Sequence, residues 1–255
     1  VILTLSTLVL GGVLFVVVMS VKDSMDNTFE SMFSDLGHDV LIHLERPYDA
    51  SEVEQAVANV PEMEFIEVWN GNWAAITLQE GNLVEAYLWG VPAKSTMFEP
   101  RLVAGRNLEA QDEHSILLNE HIAEDEKIHV GDEIDLMFQG QETAWKVVGL
   151  VASMRNGGRE CFVPIDEMVN ADINSLIGNL VLARTETHEG ETQLRVGSAL
   201  ALALKSAGIN SVQIDSAVEE RESNKTMFEG VVYILIICVT LVTIVGCLGL
   251  AGTMS

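Results

Sequence analysis

The chain has 255 residues, of which 14 are Lys or Arg and 38 are Asp or Glu, for a net charge of −24 at pH 7. So acidic a balance excludes nucleic-acid binding and flat adsorption to anionic lipid, both of which need clustered cations. Of the three cysteines, Cys238 and Cys247 sit inside one apolar run and Cys161 stands alone, so no disulfide framework is available.

Charge is unevenly placed, because every charged residue lies between Lys22 and Glu229. The opening VILTLSTLVLGGVLFVVVM, residues 1–19, is uncharged and long enough as a helix to cross a hydrocarbon core of about 30 Å. It lacks the basic flank and small-residue cleavage site of a signal peptide, so a transmembrane helix is expected there. The run begins without Met, and the chain reads as an excerpt of a longer membrane protein. Beyond it, SVKDSMDNTFESMFSDLG places Met25, Phe29, Phe33 and Leu36 on one helical face. Residues 20–36 are expected to form a stalk helix packed along that face.

Next comes DVLIHL, which alternates as a strand, and DASEVEQAVANV, which reads as a helix stopped by Pro61. EFIEVWN, NWAAITLQ and VEAYLWG follow as three strands, the first two expected to be joined by a hairpin turn at Asn70-Gly71-Asn72. Residues 37–95 thus form the first part of an α+β subdomain. Over 96–176, SILLNE, EIDLMF and TAWKVVGLV are short alternating runs, with turns at Val130-Gly131-Asp132 and Gln139-Gly140-Gln141 and short helices near His121–Glu126 and Ile165–Ala171. This is a β-rich inserted subdomain. Residues 177–214 return to strand–helix–strand with NLVLAR, a helix over Glu191–Ala207, and SVQID. The flanking βαβ-like units imply one split subdomain.

A second stalk helix is expected over 215–230, with Asp215 or Ser216 as N-cap, leading into a second transmembrane helix over 231–252. The fold class is therefore α+β: a split βαβ subdomain with a β-rich insertion, flanked by two spans that extend as a stalk. Orientation cannot be taken from basic residues, since the positive-inside rule counts short loops and is nearly blind to a domain this long.

Few positions invite a chemical role. His114 and His121 lie among Asp112, Glu113, Glu120 and Glu124, but their spacing crosses a strand and matches no zinc pattern. A solvated acidic rim is the expectation, with no metal and no cofactor. Gly246, Gly249 and Gly252 fall three apart along the last helix, where another backbone could approach closely, although ordinary membrane glycine explains them as well. Trp69, Trp73, Trp89 and Trp145 all fall on strands and are expected in the core or at a subdomain interface.

Taken in order, Gly105-Arg106, Leu117-Leu118-Asn119-Glu120, Val130-Gly131-Asp132, Val147-Val148-Gly149-Leu150-Val151 and the later FVPIDEM resemble the extracytoplasmic core domain of the MacB/FtsX-like ABC-transporter permeases. The resemblance implies a porter-like subdomain built from the flanking units and a smaller β-rich subdomain built from the insertion. It also implies residues 22–229 outside the plasma membrane, an ABC ATPase subunit and a second permease copy or homologous half as partners, and contact with membrane lipid. No GxxxxGK[ST] pattern is present, so ATP hydrolysis would come from another chain and the permease would not itself be an enzyme. The family reading is a permease of the exporter or lipoprotein-release type that couples hydrolysis to movement of the outer domain, its substrate unknown. The alternative is a two-span receptor with an external ligand-sensing domain, and residues beyond Ser255 would separate the two.

Overall fold

The computed structural model describes residues 9, 12–22, 37–77, 82–153, 157–170 and 178–254. The chain divides into two units, Ser34–Glu219 and the terminal segments Val1–Phe33 with Glu220–Ser255.

Unit Ser34–Glu219 begins with β1 (Val40–Tyr48), helix α2 (Ala50–Val57) and β2 (Met63–Thr77), and ends with β9 (Gly178–Thr185), α5 (Gly190–Ser206) and β10 (Ser211–Ser216). Asp49 starts α2, its carboxylate accepting from the Ser51 amide at 2.8 Å. The strands lie in the order β10-β1-β9-β2, and each neighbouring pair is antiparallel. Each βαβ unit therefore steps over one strand, which is the ferredoxin-like arrangement of two split units. Alternation gives each strand two faces. Val40, Ile42, Val181 and Ala183 point at α2 and α5, where Val53, Val57, Val196 and Leu200 complete one core. Leu41, Leu180 and Leu182 point the other way.

The insertion leaves this sheet along β2 itself. Instead of the expected hairpin at Asn70-Gly71-Asn72, β2 runs unbroken through those residues for 15 positions. The reason is long-range. The Asn179 side chain accepts from the Gly71 amide at 2.8 Å and donates to the Gly71 carbonyl at 2.9 Å. The Tyr87 hydroxyl and a Leu180 methyl occupy the place where a Cβ at Gly71 would stand. Gly71 thus permits close packing over an extended strand, and no turn forms.

The second half of β2 pairs with β3 (Leu83–Val91), and β3 pairs with β8 (Glu160–Pro164). From β8 the pairing continues to β5 (Ser115–Asn119), then to β7 (Gln141–Val151) and β6 (Glu133–Phe138), which returns to β2. Six strands close into a ring. Short β4 (Leu102–Gly105) adds to β7 outside it. Helices α3 (Glu120–Glu126) and α4 (Ile165–Asn170) lie within the connections. The β6–β7 turn is the expected one, with positive φ at Gln139 and Gly140, the pattern that favours Gly in tight hairpins.

Ile76, Leu88, Leu118, Leu136, Val147 and Val163 fill the ring, with Phe138 and Trp145. Cys161 is buried with them, and burial pushes its thiol up to about 12. Cys161 is therefore expected to resist maleimide at neutral pH and to label fully only in denaturant. Rapid labelling of its peptide in the native chain, read by mass spectrometry, would show that the ring opens.

A third cluster joins the ring wall to the free face of the first sheet. Leu41, Trp69 and Leu182 meet Trp89, Leu117 and Phe162 there. Aromatic rings connect across it, from Trp73 to Tyr87 at 5.3 Å, Tyr87 to Trp89 at 5.2 Å, Trp89 to Trp69 at 6.2 Å, Trp69 to Phe98 at 5.9 Å and Phe98 to Phe162 at 4.7 Å. Three of the four tryptophans are buried as expected, but Trp73 is 53% exposed.

In the other unit, residues 12–22 form helix α1, and α6 (Ala217–Met254) contributes its residues from Glu220 onward. Val18 is buried with Val232 and Val239, and Ile236 packs against them. Among the described residues no helix is long and apolar enough to cross a membrane. The expected spans 1–19 and 231–252 are only partly covered by described side chains.

Candidate functional site

The chain enters unit Ser34–Glu219 just before β1 and leaves it by α6. Those two points are adjacent, since Val40 pairs with Ser216. Asp39 organises the junction. Its amide donates to the Ala183 carbonyl at 2.8 Å, and its own carbonyl accepts from the Ala217 amide at 2.9 Å. Its carboxylate, nearly buried, accepts from the Thr185 amide at 2.8 Å, the Thr185 hydroxyl at 2.9 Å and the Gln193 side-chain amide at 3.0 Å. The His188 ring approaches it with Nδ1 at 2.9 Å.

Gln193 carries the network onward, because its Oε1 accepts from the Val218 amide at 3.1 Å. Ser216 is the cap, accepting from the Glu219 amide at 3.1 Å. The first amides of a helix have no partner inside the helix. Here Ala217, Val218 and Glu219 each find one at the junction, in the Asp39 carbonyl, the Gln193 side chain of α5 and the Ser216 hydroxyl. Nothing local in the sequence marks this site. Asp39, Thr185 and Gln193 converge only through the β1–β9 register.

The motif residues fall around β7. Gly105 has φ +76°, and a Cβ there would run into the Val148 carbonyl. Arg106 grips Asp112 with two bonds of 2.7 Å, and Asp112 also accepts from the Glu109 amide at 2.8 Å. The Val130-Gly131-Asp132 turn is tied to β7 by Gly131 N to Val147 O at 2.7 Å and Val147 N to Asp132 O at 2.9 Å.

The Arg106 guanidinium holds the Asp112 carboxyl below the usual carboxylate range. A depressed folded pKa means that the clamp is fully present above the unfolded value and is lost as pH falls through the folded one. Amide protection at Glu109 should therefore drop relative to that at Ile76 as pH falls from about 4 to about 2. Unchanged relative protection would mean that the clamp does not hold the loop.

His114 and His121 have separate surroundings. His114 lies 3.4 Å from the Glu167 carboxylate and its ring is 5.4 Å from that of Trp145. The His121 amide donates to the Asn119 side chain at the start of α3. Among the described residues, no three His, Cys, Asp or Glu side chains are grouped to hold a metal. Met25, Phe29, Phe33 and Leu36 lie outside the described residues. Gly246, Gly249 and Gly252 fall on the backbone of α6.

The fold is similar to the periplasmic region of MacB from Actinobacillus actinomycetemcomitans, at 13% identity and a TM-score of 0.52, covering 75% of this chain and 94% of that one. The extracellular domain of the noncanonic ABC-type transporter YknZ from Gram-positive bacteria matches at 14% identity and a TM-score of 0.49, over 69% of this chain and 99% of that one. No curated protein matches. The family described as the MacB-like periplasmic core domain matches residues 1–208, and the chain belongs to that family.

Proposed function

We propose that the chain is part of a permease subunit of an ABC transporter, of the exporter or lipoprotein-release type, which couples ATP hydrolysis on a separate ATPase subunit to movement of its outer domain. The reading places residues 22–229 outside the plasma membrane, with a second permease copy or homologous half beside them. The observation that carries it is the junction at Asp39. The incoming chain joins the sheet there, and the first three amides of α6 are bound at the same place by Asp39, Gln193 of α5 and Ser216 of β10, so displacement of either flanking segment would load that junction. Apolar exposure supports the membrane assignment: Val13, Phe15 and Val16 on α1 and Ile234, Ile237, Val245 and Leu248 on α6 are all more than 45% exposed. Contiguous apolar surface of this kind is suited to lipid or to other spanning helices.

The stalk face of Met25, Phe29, Phe33 and Leu36 would pack against the second stalk, and Gly246, Gly249 and Gly252 would admit a neighbouring backbone. Cysteines placed at Lys22 and Glu229 are expected to crosslink in membranes containing the partner ATPase. Phe29→Asp should abolish the crosslink, since burying an unpaired carboxylate at the seam costs several kcal/mol. ATP hydrolysis should persist, because its machinery lies on the other chain. An unchanged crosslink in the Phe29→Asp protein would favour a passive tether over a transmitting stalk.

A further inference from the structure

The ring of β-strands has an outer wall, formed where β3, β2, β6 and β7 lie side by side, that borders the buried seam at Tyr87. Since Ala74, Ile76 and Leu136 point inward, their neighbours Trp73, Ala75 and Met137 point outward. Trp73 is 53% exposed, Leu83 56% and Met137 39%. Across the row centred on Ala75, the register sets Glu85 on one side and Met137 then Glu142 on the other. In the next row Thr77 stands between Leu83 and Asp135. Glu142 is oriented by the Thr77 hydroxyl at 2.8 Å. Beyond these rows, Glu133 is opposite Lys146 at the wall's corner. The face is thus an apolar strip with exposed carboxylates on both flanks.

We propose that this wall binds a short peptide with alternating cationic and apolar side chains. Three strand spacings of about 4.8 Å separate the Glu85 and Glu142 positions, about 14 Å in all. On an extended peptide, side chains four residues apart lie on one face about 13 Å apart. Two lysines at that spacing would meet Glu85 and Glu142, while the apolar side chain midway between them lies over Ala75 and Met137, with Trp73 and Leu83 to either side.

The size of the wall selects a peptide over a folded protein. Three strand spacings by four residue rises is on the order of 200 Å², against about 800 Å² per partner in stable protein pairs. Charge complementarity selects a cation, because Glu85, Asp135 and Glu142 stand opposite no basic residue in the register of the described strands. Nothing in this assignment depends on the coupling of the outer domain to ATP hydrolysis.

The probe is the peptide Lys-Ser-Leu-Ser-Lys-Ser-Leu-Ser-Lys carrying fluorescein, titrated by anisotropy into the full chain in nonionic detergent, with detergent alone as the blank. An unlabelled copy is titrated against acrylamide quenching. Trp69, Trp89 and Trp145 are buried, so quenching reads Trp73, and the peptide is expected to shield it. Affinity is expected to fall roughly tenfold or more in Trp73→Ser and in the Glu85→Lys, Glu142→Lys pair. The Glu54→Lys, Glu124→Lys pair changes net charge equally at exposed sites on α2 and α3 and should keep the parent affinity within about twofold. Equal losses in the two double variants, equally tight binding of the peptide with Glu in place of Lys, or binding without shielding of Trp73 would each overturn the proposal. The shielding measurement needs no substitution, so a misfolded variant cannot leave the question open.

Discussion

Trp69→Ala is expected to destabilise the chain by about 3–5 kcal/mol. Trp69 is fully buried, meets Trp89 and Phe98 edge-on, and donates its indole N–H to Glu67 at 2.9 Å. Truncation would empty the centre of the seam between the first sheet and the ring and would leave Glu67 without one donor. The remaining partners of Glu67, the Ser95 hydroxyl and the Thr96 amide, limit the polar part of the loss. Urea unfolding monitored by far-UV circular dichroism should show the midpoint falling with one shared transition. A loss below about 1 kcal/mol would mean that the seam collapses around the gap, since the cost of such cavities depends on how well the site relaxes.

Asp39→Ala is the second large effect. It would strip the Thr185 amide, the Thr185 hydroxyl and the Gln193 side chain of a shared charged acceptor. Hydrogen bonds to charged groups contribute about 1.5–3 kcal/mol each, and buried donors left unpaired add a desolvation cost. A loss of about 3 kcal/mol is expected, because Thr185 Oγ1 keeps its bond to the Thr187 carbonyl. The local signature is more telling than the total. With Gln193 no longer held, the Val218 amide should exchange faster with solvent while Ile42, in the helix-covered core, stays protected. Equal protection of Val218 in parent and variant would show that Gln193 holds α6 without help from Asp39.

How much of this was legible in the sequence depended on the range of the interactions. The alternation of Ile134, Leu136 and Phe138, and of Trp145 and Val147, marks strands because each side chain's burial follows from its own parity. The helix α5 and the strands around it are readable for the same reason, and the split arrangement follows from their order. Ser216 as a cap was one of two local candidates. The family was legible because its short motifs keep their order around β7.

Long-range effects were not legible. The Asn70-Gly71-Asn72 stretch has the composition of a turn, and only the Asn179 amide and the overlying Tyr87 and Leu180 side chains make it a strand. Four-residue β4 carries too little pattern to be recognised alone. Ring closure through β6 and β2 rests on three residue pairs far apart in the chain. Asp39 reads as an ordinary acid at the start of a strand, and its partners lie about 150 positions away.

Because β2 belongs to both sheets, it runs as a continuous beam from the first sheet into the ring, beside the seam where Leu41, Trp69 and Leu182 meet Trp89, Leu117 and Phe162. Any rocking of the ring must twist that beam, and the twist concentrates where the pairing partner changes from β9 to β3, at Asn70 and Gly71. The Asn179 amide bridges that point with one bond to each side of the Gly71 peptide backbone. Both bonds resist twist at that point, since one fixes the Gly71 amide and the other its carbonyl against β9. Removing the Asn179 side chain would therefore leave that point with fewer constraints against twist.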